Sequence, residues 1–108
     1  MRYKQLGNTG LFVSEICLGA MTFGPSGENG IWGSIASLDQ KGVDEIVGKS
    51  VAAGVNFFDT ADVYSFGKSE ELLGQSIRNL GLKRENVVIA TKVHGAMGDG
   101  PNQRGSSR

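Results

Sequence analysis

Two short apolar runs, FF at positions 57–58 and VVIAT at 87–91, bracket a stretch of helical periodicity, and that order limits what the chain can become. Each run is too short for a helix. One follows Gly54 and the other a solvated connection, KREN at 83–86, so both read as buried strands. Strands joined through a helix lie parallel, because the crossover returns the chain to the same end of the sheet. The joining helix is expected over residues 69–80, with Leu72, Leu73, Ile77 and Leu80 turned inward and Gly81 as its stop. An earlier helix is expected over 39–53. There Asp39 is the cap, Val43, Ile46, Val47, Ser50 and Val51 form one stripe at spacings of three and four, and Gly54 ends it. The expectation is an α/β fold with a parallel sheet.

The strand ends carry the chemistry. The strand over 56–59 ends in Asp59, and the strand over 87–92, apolar enough to be buried on both faces, ends in Lys92. Between them, positions 60–62 form a turn, Tyr64 lies in the loop, and Ser69-Glu70-Glu71 opens the next helix, where the positive helix end favours carboxylates. A carboxylate placed directly after two phenylalanines calls for a cationic partner. Parallel neighbours would bring Asp59 and Lys92 side by side at one rim. A lysine ammonium held by Asp59 and aimed at the Tyr64 hydroxyl favours the phenolate, which makes the tyrosine a candidate general acid. The plainer alternative is a structural ion pair beside an unrelated tyrosine.

Elsewhere the signals are weaker. Residues 1–14 read as a hairpin turning at GNTG, residues 15–19 as a first strand, and Gly19-Ala20-Met21 as its carboxyl rim, where a glycine either lets another group approach the backbone closely or serves strand packing. Residues 24–37, GPSGENGIWGSIAS, read as a glycine-rich loop whose Trp32 either lines a pocket or pins the loop down. That glycine spacing does not fit the dinucleotide fingerprint. GKS at 67–69 ends like a phosphate-binding loop, but position 62, where that loop needs glycine, is aspartate. The single cysteine, Cys17, reads as a small core residue. His94, two residues past Lys92, reads as a solvated loop residue that could touch a substrate, and residues 93–108 as a polar loop or tail. Eleven basic residues balance eleven acidic ones, which leaves no electrostatic footprint for nucleic acid. No apolar run approaches a membrane span and no signal-like core follows Met1, so a cytoplasmic protein is expected. No metal site is expected.

The pieces LGAMTFG, GVNFFDTADVYSFGKSEELLGQSI and VVIATKV, in this order, resemble the amino-terminal part of the aldo-keto reductase superfamily, on the branch of stress-type reductases and potassium-channel β subunits. The resemblance implies the amino-terminal hairpin and first three β/α units of a (β/α)8 TIM barrel. It also implies reduction of small aldehydes or ketones with NADPH. Asp59, Tyr64 and Lys92 match three of the family's four catalytic positions, and Gly19, Ala20, Met21 and Asp59 match positions along the nicotinamide. Many members carry threonine where Ala20 stands. The fourth catalytic residue, a histidine on the following strand, has no counterpart, and neither do the clamps for the adenosine phosphate. Because such a barrel needs roughly 250 residues, 108 residues are expected to be an incomplete one. Two other readings stand beside the enzyme: a catalytically inactive fragment or interaction module, and a channel-subunit-like regulator. Three parallel strands with helices on one face would leave the other face bare, which should drive self-association or pairing with the rest of a barrel.

Overall fold

In the computed structural model, which describes residues 1–25 and 30–107, the chain begins with an antiparallel hairpin of β1 (Tyr3–Gln5) and β2 (Phe12–Ser14), Tyr3 opposite Ser14. A second sheet has three parallel strands in the order β3 (Leu18–Gly19), β4 (Phe57–Asp59) and β5 (Val88–Ala90). Its register sets Gly19 beside Asp59, and Asp59 beside Ala90. Helix α1 (Ile31–Ile35) and helix α2 (Gln40–Ala52) lie between β3 and β4, and α3 (Lys68–Asn79) between β4 and β5. Asn56 joins the two sheets. Its side-chain oxygen accepts from the Ser14 amide at 2.7 Å and its amide group donates to the Phe12 carbonyl at 3.0 Å.

The helices form where capping and periodicity agree. Asp39 caps α2 by accepting from the Gly42 amide at 2.9 Å, and Val43 and Val47, one turn apart, have no exposed surface. Leu73 and Ile77 repeat the spacing on α3. With Ala20, Phe23, Phe58 and Val87 these residues make one core between the helices and one face of the sheet. Phe58 alone, wholly buried, contributes about 1.5–3 kcal/mol. Strand alternation puts Phe57 and Asp59 on the opposite face, where both are only half-buried.

That open face accounts for several departures from the sequence reading. Cys17 is exposed, not in the core: Leu18 packs on the core cluster, so its neighbour points the other way, into an open cleft it shares with Phe57. Strand β5 is half-buried along its length and not covered on both faces. Ile46 and Leu80 are exposed, because the short sheet is wide enough only for the central residues of each helical stripe. Strand β3 begins at Leu18, not at residue 15, since Glu15 is drawn to the hairpin by Arg2 at 2.7 Å and Lys4 at 3.0 Å. Strand β5 ends at Ala90, two residues short of Lys92.

The segment over 24–37 is not all loop. Residues 31–35 make α1, Ala36 is buried, and Gly24 and Phe23 bridge to Leu38; the loop positions 26–29 lie outside the described residues. Ser69 does not cap α3. The helix starts a residue earlier, after Gly67 at φ 91°, and Ser69 is fully buried inside its first turn. After β5, residue 94 bridges to residue 105, so the polar tail folds back on itself. No helix among the described residues is long and apolar enough to cross a membrane.

Candidate active site at the strand ends

Parallel pairing carries on past the strands. The Thr60 amide donates to the Ala90 carbonyl at 2.9 Å, and the Asp62 amide to the Lys92 carbonyl at 3.1 Å. Lys92 is thereby fixed beside the turn that follows β4. Its Nζ donates to Asp59 Oδ2 at 2.7 Å, to the Thr60 carbonyl at 2.8 Å and to the Tyr64 hydroxyl at 3.3 Å. The three side chains named from the sequence therefore meet at one point. Burial is the largest single influence on the Lys92 ammonium and pulls its pKa down; hydrogen bonds and charge from Asp59 and Tyr64 together outweigh it, and the value ends above that of an ordinary lysine. The cation therefore persists through neutral pH. Both members of the ion pair remain substantially exposed, so the pair matters more for arrangement than for stability.

Tyr64 opens a tight turn, Tyr64–Gly67, in which Ser65 (φ 49°, ψ 37°) and Phe66 (φ 49°, ψ 53°) are left-handed. The Lys92 ammonium lies over its ring, 4.9 Å from the centroid, and the Trp32 ring packs against it with centroids 5.5 Å apart and planes at 60°.

The rim over 19–21 divides. Gly19 lies on the open face, and a Cβ built on it would meet no atom within 4 Å, so a flat ring has room there. Met21 is exposed as well. Ala20, by contrast, turns its methyl group into the core, donates its amide to the Asp59 carbonyl at 2.8 Å and offers no side-chain surface to a ligand. Cys17 lies close enough to feel both charges of the ion pair. Burial first, then Asp59, push its thiol pKa up, and Lys92 pulls it down.

Two participants escaped the sequence reading. The Thr60 carbonyl is the third partner of Lys92, which no side-chain pattern reveals. Ser69 donates to the Ala20 carbonyl at 2.7 Å and shares a 2.9 Å hydroxyl contact with Thr60, tying the β3 rim to the β4 turn. Its signal was present: positions 69, 73 and 77 form one stripe, and Leu73 and Ile77 face inward. His94 makes a backbone bridge to Gly105 and is not drawn into the cluster. Among the described residues no group of acidic, histidine or cysteine side chains could hold a metal.

Comparison with known proteins agrees with this architecture. The chain is 43% identical over 109 residues to a probable voltage-gated potassium channel subunit beta of Oryza sativa subsp. japonica, covering all of this chain and 30% of that one. It is 39% identical to an uncharacterized oxidoreductase of Bacillus subtilis, over 94% of this chain and 30% of the relative. A solved aldo-keto reductase from Bacillus halodurans in its holo form superposes with a TM-score of 0.72 at 27% identity, over 99% of this chain and 30% of that structure. The chain thus spans about 30% of the length of these relatives, and its three parallel strands are an open portion of a (β/α)8 barrel. Residues 15–108, from the bend before β3 through the folded-back tail, match the aldo/keto reductase family, and the chain belongs to it.

Proposed function

We propose that this chain forms the proton-donating half of a carbonyl-reducing site, with Tyr64 as general acid, Lys92 and Asp59 as its supporting ion pair, and NADPH as the reductant. The observation that carries the reading is the convergence on Lys92 Nζ of the Asp59 carboxylate at 2.7 Å and the Tyr64 hydroxyl at 3.3 Å, at an open rim beside a glycine. Tyr64 gives its proton to the carbonyl oxygen of an aldehyde or ketone, and the phenolate left behind faces the ammonium of Lys92. Asp59 and the Thr60 carbonyl hold that ammonium in place, so that little reorganisation is needed as charge develops. When bound along Gly19, Ala20, Met21 and Asp59, the nicotinamide supplies the hydride that reaches the carbonyl carbon. Gly19 fits that role by the space it leaves and Met21 by its exposure; Ala20 is buried, with its amide on Asp59 and its carbonyl on Ser69, and offers the ring no free group.

The test is NADPH-dependent reduction of an aromatic aldehyde by the full-length protein and its Tyr64→Phe and Lys92→Met variants, with cofactor binding followed separately by fluorescence. Loss of a general acid lowers kcat by about 10²–10⁴-fold with binding retained. Equal rates for wild type and Tyr64→Phe would remove Tyr64 from the mechanism. They would favour the non-catalytic reading, an interaction or regulatory module, for which the open sheet face and the likeness to channel β subunits speak.

A further inference from the structure

The Tyr64 ring is subject to two competing attractions. Its hydroxyl is held at 3.3 Å by Lys92 Nζ, while the same ammonium lies 4.9 Å from the ring centroid, close enough to draw the ring face over itself. A ring that slid flat onto the ammonium would keep a favourable contact and carry its hydroxyl away from the rim. The Trp32 ring stands against that of Tyr64 in an edge-to-face arrangement, with centroids 5.5 Å apart and planes at 60°. Trp32 belongs to α1, which packs against the Tyr64–Gly67 turn. The fit there is close: a Cβ on Gly24 would run into the Ser65 side chain and crowd Ala36, and Ala36 itself is buried.

We propose that Trp32 is a positioning residue for Tyr64, holding the phenol ring upright so that its hydroxyl stays on Lys92 and faces the substrate. The inference rests on the reading of Tyr64 as proton donor. It gives the aromatic residue of a glycine-rich segment a part in the reaction without contact with the reacting atoms.

An edge-to-face pair of this kind contributes enough that its loss changes a rate about two- to tenfold. In the full-length protein, Trp32→Ala should lower kcat by that factor, leave the KM for NADPH unchanged and raise the solvent deuterium isotope effect as proton donation becomes slower. Trp32→Phe, which keeps an aromatic edge, should restore most of the rate, whereas Trp32→Leu, apolar but without one, should not. A readout independent of turnover is the NMR signal of tyrosine labelled at Cζ. The Tyr64 resonance, assigned as the one missing in Tyr64→Phe, should shift in Trp32→Ala and Trp32→Leu, while the Tyr3 resonance stays in place. An unmoved Tyr64 resonance, or Trp32→Leu equal to Trp32→Phe in kcat and isotope effect, overturns the positioning role. Should Tyr64→Phe keep the wild-type rate, the general-acid reading fails, and the resonance still reports whether Trp32 fixes the ring.

Discussion

Replacing Ser65 with glycine should stabilise the protein, and the structure allows the size of the effect to be worked out. At φ 49° and ψ 37° Ser65 occupies the left-handed region, which costs an L-residue roughly 1–2 kcal/mol and a glycine almost nothing. Its hydroxyl is buried with no hydrogen-bond partner among the described residues, a further penalty of about 1 kcal/mol at the low end of the range for unpaired polar groups. Against these gains stand the greater freedom of glycine in the unfolded chain, about 0.5–1 kcal/mol, and the lost burial of one methylene, about 0.8 kcal/mol. The balance for Ser65→Gly is a gain of about 1 kcal/mol. Ser65→Ala separates the contributions, because it removes the hydroxyl but keeps the strain and the buried carbon, so it should gain about 1 kcal/mol from the hydroxyl alone. Urea unfolding of the three proteins is the assay, and both variants should show a midpoint above that of wild type with the slope unchanged. A glycine variant no more stable than wild type would refute the reasoning. It would mean that the Ser65 hydroxyl has a partner worth more than the strain, or that the turn relaxes in solution.

Two further outcomes are expected. Ser69→Ala strips the Ala20 carbonyl and the Thr60 hydroxyl of a buried partner, so it should cost about 1–3 kcal/mol in the same unfolding assay, and a loss below about 0.5 kcal/mol would contradict a structural role for the bridge. Hydrogen bonds from Asn79 first and then Gln40 hold the Asp44 carboxyl below the usual carboxylate range, and the Asn79 bond, at 2.8 Å, links α2 to α3. Because its folded pKa lies below the unfolded one, the carboxylate's contribution is complete above about pH 4 and fades as pH falls through the folded value. The stability gap between wild type and Asp44→Asn should therefore be larger at pH 6 than at pH 3, and a gap independent of pH would count against it.

Much of the scaffold could be read from local pattern because local and long-range demands agree there. Asp39 caps the helix its position announces, and Phe58 and Val88 sit in strands that no helix could share. The pattern misled where a distant contact decides. Nothing near Glu15 in sequence shows that Arg2 and Lys4 will pull it out of the strand. Gly30 before residues 31–35 and Gly33 within them speak for loop, yet Trp32 finds Tyr64 and Ala36 finds the core, so tertiary packing overrides a weak helix preference. Apolar neighbours suggest an interior place for Cys17 and Ile46, but a sheet covered on one face and only three strands wide has no interior to offer them.

The candidate site was legible for a geometric reason that the register makes explicit. Asp59 pairs with Ala90, and Lys92 lies two residues beyond, so alternation returns it to the face that Asp59 occupies. Two residues of strand advance the chain by about 6.6 Å, a distance a lysine side chain can reach back across to put its ammonium on the carboxylate. An odd offset would fail. Thr91, one residue nearer, turns to the helix side and donates its hydroxyl to Glu70 of α3 at 2.6 Å. Spacing of the cation from the end of β5, more than its mere presence near a carboxylate, is therefore what joins Asp59, Lys92 and Tyr64 into one cluster.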